Sequence, residues 1–370
     1  MGFTGIRAAA TTVASRLTRI VYSLRMPFAV LPPPRIQIVA LGATLVVVNV
    51  LVWFWAFAIF RGNPALLGTA LLAYTFGLRH AVDADHIAAI DNVTRKLMQN
   101  GQRPIGVGLY FSLGHSTVVI LASVAIAFGA SALETRYEYI RQVGAIAGTA
   151  ISAIFLFAIA FANIQVLTAV YRTFQRVKNG GAYNDEDLNP LLAARGPLSR
   201  LFRPVFRLIQ TSWHMYPLGF LFGLGFDTAT EVGVLGMSAV GASHGLPIWS
   251  IMVFPALFTA GMTLVDTADG ILMLRAYGWA FVQPIRKLYY NMTMTAVSVT
   301  VALAVGGIEA LRVIGDQFGL TQGFWGVIAN LNDGFGTIGV LAIGLFVVCF
   351  LVSLLIYRAK GYDRIGVRME

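Results

Sequence analysis

The chain has 370 residues, 57% of them hydrophobic and only 12% charged, about half the charged share of an ordinary soluble domain. With a mean hydropathy of +0.73, its apolar runs set aside the two or three soluble domains that the length would allow and point to one polytopic membrane domain. The formal net charge of +10 is not a nucleic-acid footprint, because the basic residues sit between the apolar runs, as in cytosolic loops of membrane proteins.

In chain order, residues 1–35 form a basic tail with Arg7, Arg16, Arg19, Arg25 and Arg35 and no acid. It lacks a compact apolar core ending in a cleavage site, so it reads as an uncleaved cytosolic segment. Spans are placed where about 20 mostly apolar residues occur together. Four fall in a first membrane half, residues 36–171, at about Gln37–Phe60, Leu66–Asp91, Ile105–Ala130 and Val143–Tyr171. Their connections are Arg61–Pro64, a basic one with Arg95, Lys96 and Arg103, and a short loop with Glu134, Arg136, Glu138 and Arg141.

A polar cytosolic loop, residues 172–212, carries seven basic residues and the cluster Asp185-Glu186-Asp187. The second half, residues 213–357, holds spans at about Trp213–Val240, Pro247–Ala276, Leu288–Leu311 and Phe335–Tyr357, and a basic tail, 358–370, closes the chain. The expected fold is all-α, a polytopic membrane protein with eight transmembrane helices. With a cytosolic N terminus, 22 basic residues fall in cytosolic segments and only Arg61, Arg136, Arg141 and Arg312 fall outside. Both termini are therefore expected in the cytosol. Cys349 is the one cysteine, which leaves neither a disulfide framework nor a thiolate metal cage.

The second span carries the densest chemistry, Arg79-His80-Ala81-Val82-Asp83-Ala84-Asp85-His86-Ile87. A charge at a bilayer centre costs about 2.5–3.5 kcal/mol on insertion scales, so such a cluster needs a function or a partner. Steps of three place His80, Asp83 and His86 on one broad side of a regular helix, with Asp85 turned toward a neighbour. Arg79 is available to neutralise a carboxylate. Span three adds His115 between Ser112, Ser116 and Thr117, with Gly114 allowing close helix approach. Span five offers Asp227 and Glu231 on one face, and span six Asp266 and Asp269. Their bland alternative is helix-to-helix hydrogen bonding, or pairing with Arg79 and Arg275. Val82-Asp83-Ala84-Asp85 is echoed weakly by Val265-Asp266-Thr267-Ala268-Asp269, as in parallel-repeat transporters whose site lies where the halves meet. His214 and His244 lie near span ends and read as interface residues rather than ligands.

Imidazole and carboxylate together suit borderline divalent metals such as Ni²⁺, Co²⁺, Zn²⁺ or Fe²⁺, whereas Ca²⁺ and Mg²⁺ prefer oxygen alone. The expected metal set is His80, Asp83, Asp85, His86, His115, Asp227, Glu231, Asp266 and Asp269. These carboxylates could also exchange protons for metal. No Walker-type loop points to ATP hydrolysis, and no His-Glu-x-x-His motif points to a protease.

At these residues the sequence resembles the nickel/cobalt transporter family, secondary permeases for Ni²⁺ and Co²⁺. Four stretches carry the resemblance: Arg79–Ile87, with its His80, Asp85, His86 core, Phe111–Val119, Leu224–Val232 and Gly261–Gly270. It covers about residues 36–357. The resemblance implies a multi-pass protein of the cytoplasmic membrane, not an enzyme, that takes up Ni²⁺ or Co²⁺ as substrate and holds no prosthetic group. It implies that His80, Asp83, Asp85 and His86 are essential, with uptake coupled to the proton gradient or membrane potential. Asn49 in span one is a candidate for tuning metal choice, set against a plain packing role. The rival readings are a metal exporter and a membrane metalloenzyme.

Overall fold

The computed structural model describes residues 35–181, 209–225, 229–280 and 284–360, and all regular structure among them is helical. The tails 1–34 and 361–370 and the loop portion 182–208, with Asp185-Glu186-Asp187, lie outside the described residues. Among the described residues the α-helices are, in order, α1 (Arg35–Phe60), α2 (Pro64–His80), α3 (Ala84–Gln99), α4 (Val107–Lys178), α5 (Met215–Gly223), α6 (Ala229–Ser243), α7 (Ile248–Ile251), α8 (Val253–Ala280), α9 (Pro284–Gln317), α10 (Phe324–Asp333) and α11 (Phe335–Ala359).

Among the described residues, six stretches are long and apolar enough to cross a bilayer: Arg35–Phe60, Val107–Phe128, Ile146–Lys178, Ile248–Gly278, Leu288–Gln317 and Phe335–Ala359. A seventh is the pair α2–α3, bent by 51° at its break. The chain is thus a multi-pass membrane protein. Its outermost helices expose apolar side chains, such as Ile36, Val47 and Phe54 on α1 and Leu341, Val348 and Leu355 on α11. Such surfaces suit lipid, where a helix satisfies its own backbone.

The sharpest departure from expectation lies in the second span. It is not one regular helix. α2 opens at a cap in which Asn63 Oδ1 accepts from Leu66 N–H, followed by Pro64 at the first helical position. It ends at His80, and Asp83, in extended backbone (φ −64, ψ 147), starts α3. Helix α3 then runs to Gln99, so Arg95 and Lys96 are buried helical residues rather than a loop. Against this break packs α11: a Cβ on Gly339 would lie 1.6 Å from Val82 O, and one on Gly336 would lie 3.2 Å from Asp83 Oδ1.

Helical structure also runs without interruption through the loop expected at Glu134–Arg141, and α4 continues past Tyr171 to Lys178. A straight helix would place Phe111 and Phe155 about 66 Å apart. Both rings nevertheless rest on Phe222, with centroids 5.3 and 5.9 Å away, so the chain reverses between them. The fifth expected span is two helices, α5 and α6, flanking a break. Helix α10 had no counterpart in the sequence reading.

Helix α8 runs parallel to the broken pair. Gly77 abuts Phe258 and Gly270 abuts Ile90, while His86 meets Asp266 and Asp91 meets Tyr277. Span two and span six therefore share a direction, as their sequence echo requires.

Candidate metal centre

The break at 81–83 decides where the site forms. Ending α2 at His80 and restarting the helix at Ala84 turns both motif histidines toward one point, their ring centroids 4.7 Å apart. His115 on α4 joins them, 4.8 Å from His80 and 4.9 Å from His86. One nitrogen from each of the three rings lies within 4.8 Å of the others. All three are at most 3% exposed. Phe111 edges onto His86 and Phe258 leans on His80, forming apolar walls. His115 reaches this depth because α4 and α5 touch through glycine, where a Cβ on Gly114 would lie 1.9 Å from Tyr216 O.

Carboxylates hold the rings. His80 Nδ1 donates to Asp83 Oδ2 at 3.0 Å, and Thr230 Oγ1 stands 3.2 Å from the same nitrogen. His86 Nδ1 donates to the Asp266 carboxylate at 3.2 and 3.3 Å. A carboxylate on one ring nitrogen fixes the tautomer and presents the other nitrogen's lone pair, the usual outer support of a metal-ligating histidine. Asp83 and Asp266 thus stand behind the imidazoles, and neither forms an ion pair with Lys or Arg among the described residues.

In front of the rings the geometry is specific. His80 Nε2 and His115 Nε2 are 2.9 Å apart, Glu231 Oε1 is 2.8 Å from His115 Nε2, and 4.0 Å separates His80 Nε2 from Glu231 Oε1. A triangle of these sides has an angle of about 90° at His115 Nε2, and the midpoint of its long side lies about 2 Å from all three atoms. That is the bond length from imidazole nitrogen or carboxylate oxygen to a first-row divalent cation such as zinc. Three further atoms of these residues are buried without hydrogen-bond partners among the described residues: His86 Nε2, His115 Nδ1 and Asp83 Oδ1. Buried polar atoms are nearly always satisfied, so orphans on three members of one group need an explanation.

The remaining candidates separate by position. Asp85 is half-buried in the first turn of α3, close enough for its charge to act on all three imidazoles. Asp227 lies outside the described residues. Asp269 is one turn beyond Asp266 and outside the imidazole group. Arg79 is exposed, and neither Arg79 nor Arg275 pairs with an acid among the described residues. Asn49 Oδ1 accepts from Tyr74 OH at 3.0 Å, and its Nδ2 donates to Leu45 O and Ala260 O. It is a packing residue with its polar atoms occupied away from the site. His214 accepts at Nδ1 from the Gln210 and Thr211 N–H groups, and His244 donates to Val240 O. Neither joins the cluster.

Glu309 escaped the sequence reading although it lies inside the seventh apolar run. It is 2% exposed and accepts from Ser152 Oγ at 2.9 Å. An acid within an apolar stretch was the available signal.

A family model described as "High-affinity nickel-transport protein" matches residues 66–356. The high-affinity nickel transport protein of Cupriavidus necator is 58% identical over 335 residues, covering 90% of this chain and 95% of the relative. A protein of Mycobacterium tuberculosis named nickel transporter NicT is 44% identical over 311 residues, 83% of this chain and 82% of its own length. The cobalt transport protein NhlF of Rhodococcus rhodochrous is 38% identical over 310 residues, covering 81% and 87%. No solved structure matches the chain. A match across most of the chain, with relatives covered nearly end to end, makes this protein a member of the high-affinity nickel-transport family, whose members are permeases and not enzymes.

Proposed function

We propose that the protein carries Ni²⁺, and Co²⁺ by the same route, into the cell across the cytoplasmic membrane. The cation sits in front of His80 Nε2 and His86 Nε2, bounded by His115 and Glu231. Asp83 and Asp266 orient the two motif imidazoles from behind, and Asp85 adds negative charge. Asp227, four positions before Glu231 in the sequence, is a further carboxylate candidate for the cation's path. The single observation that carries this reading is the triangle of His80, His115 and Glu231, with a point about 2 Å from each vertex. Relatives named for nickel and for cobalt support the choice of cargo, as does the mixed nitrogen and oxygen donor set.

The broken pairs α2–α3 and α5–α6 each count as one crossing in this reading. That gives eight spans in two membrane halves, 36–171 and 213–357, joined by the cytosolic loop 172–212. The basic tails 1–35 and 358–370 are cytosolic under the positive-inside rule. A cation of charge +2 entering against carboxylates is driven by the membrane potential or by proton exchange, since about 2.3 kcal/mol per elementary charge is available per 100 mV.

The test is accumulation of ⁶³Ni in intact cells. His80→Ala, His86→Ala and His115→Ala are each expected to reduce uptake to the level of cells lacking the protein, while the variants remain in the membrane. Normal uptake by all three would overturn the reading.

A further inference from the structure

The imidazole cluster is buried, so a cation needs a way in. A cavity of about 410 Å³ lies at α2, α6 and α8, lined among others by Asn63, Thr69, Gly236, Met237, His244 and Phe254. The same three helices bring His80, Glu231 and Phe258 to the cluster. Cavity and cluster stand at opposite ends of them. Asn63 caps the start of α2 and His80 ends it, while Glu231 lies in the first turn of α6 and His244 just past its last. The rim is open and polar, since Asn63 and His244 are exposed.

The floor of the cavity comes close to the cluster. Phe254 lines the cavity, and Phe258, one turn along α8 at about 6 Å of helix rise, leans on His80 with ring centroids 5.5 Å apart. Both phenylalanines are at most 1% exposed, and Phe254 stacks on Phe60 at 5.6 Å. Ala73, Val234 and Leu257 pack into the same apolar layer. Beside it α2 and α6 meet tightly, where a Cβ on Gly233 would lie 2.6 Å from the Phe76 ring. Along α8, a single helical turn therefore separates cavity from cluster.

We infer that this cavity is the outer vestibule of the transport path, holding a hydrated divalent cation, and that Phe254 and Phe258 form the gate between it and the histidine cluster. This rests on the reading of that cluster as the cation site, and on cytosolic termini, which place the start of α2 and the end of α6 on the outer side. The size fits the occupant. Six waters at about 30 Å³ each fill about 180 Å³, so the cavity admits the ion with its water shell. An apolar constriction gates by excluding water, so the closed rings stop a hydrated ion and their parting admits it. The walls keep room for passage: a Cβ on Gly236 would meet nothing within 4 Å.

Cysteine labelling of the full chain in intact cells provides the test, with the native Cys349, half-buried on α11, replaced by serine. The probe is a membrane-impermeant trimethylammonium thiosulfonate added outside. Gly236→Cys is expected to react, and its ⁶³Ni uptake, compared before and after the reagent, to fall at least fivefold as the cationic adduct fills the vestibule. Met237→Cys, on the same wall, repeats the test should Gly236→Cys not transport. Thr230→Cys probes the far side of the gate, because Thr230 is 2% exposed and 3.2 Å from His80 Nδ1; it is expected to react at least tenfold more slowly. Reaction at 236 and 237 without loss of uptake would overturn the vestibule. So would reaction there only with a bilayer-soluble maleimide, which would mark a groove filled by a lipid chain. Equal reactivity at 230 and 236 would overturn the gate. Each of these results leaves the histidine site standing, since that is judged without reagent by the three histidine variants.

Discussion

His86 Nδ1 lies 3.2 Å from Asp266 Oδ2, a contact between residues 180 positions apart. It fastens the inner half of the broken span to α8 and leaves His86 Nε2 buried and without a hydrogen-bond partner among the described residues. The carboxylate therefore acts through the ring it holds. Asp266→Asn is expected to weaken metal affinity about 10- to 100-fold, the usual cost of losing such support. Measured as the KM for ⁶³Ni uptake, a value equal to wild type would contradict this role.

The break in span two depends on close contact with α11. An added methyl at Gly339 would fall 1.6 Å from the carbonyl of Val82, a backbone atom that cannot step aside. Gly339→Ala is expected to destabilise the protein by about 1–3 kcal/mol, as overpacking does, and to lower uptake by displacing His80 and Asp83. Gly344→Ala on the same helix meets nothing within 4 Å and should leave both unchanged. Thermal unfolding of the two variants in detergent, alongside uptake, checks the contrast.

Asn49 joins α1 to α2 and α8 through Tyr74 and Ala260. Replacing it by alanine leaves the Tyr74 hydroxyl without this acceptor, a loss of about 1–3 kcal/mol where the group is buried. Asn49→Ala should therefore lower thermal stability while the ratio of Ni²⁺ to Co²⁺ uptake stays within twofold of wild type. A reversed preference in a competition assay would return Asn49 to the metal site.

Cation binding needs imidazoles neutral and carboxylates ionised, so it releases protons. Affinity should therefore fall as the pH falls, with KM rising as protons compete for the ligand atoms. Uptake measured between pH 5 and 8 at a clamped membrane potential tests this. A KM that is flat with pH would contradict it.

Much of this site was legible because charge is conspicuous in an apolar chain. His80, His86, His115, Glu231 and Asp266 each interrupt a hydrophobic run, and the structure brings all five together. Their roles were not legible. Whether Asp83 and Asp266 face the cation or stand behind an imidazole depends on the break at 81–83, and nothing in the periodicity of that span announces a break without proline or glycine. Packing by Gly336 and Gly339, more than 250 residues away, accompanies it. The six long apolar helices followed from hydropathy, whereas Arg95 and Lys96 misled because buried basic residues resemble a loop until their partners Thr295, Asn92 and Ile209 are seen.

The central claim, that buried imidazoles and a carboxylate take the cation directly, is tested most directly by X-ray absorption at the nickel edge of the loaded, purified protein. The account predicts two or three imidazoles bound at about 2.0–2.1 Å together with oxygen, and loss of one imidazole in His86→Ala. A spectrum showing oxygen donors only, unchanged in that variant, would contradict it.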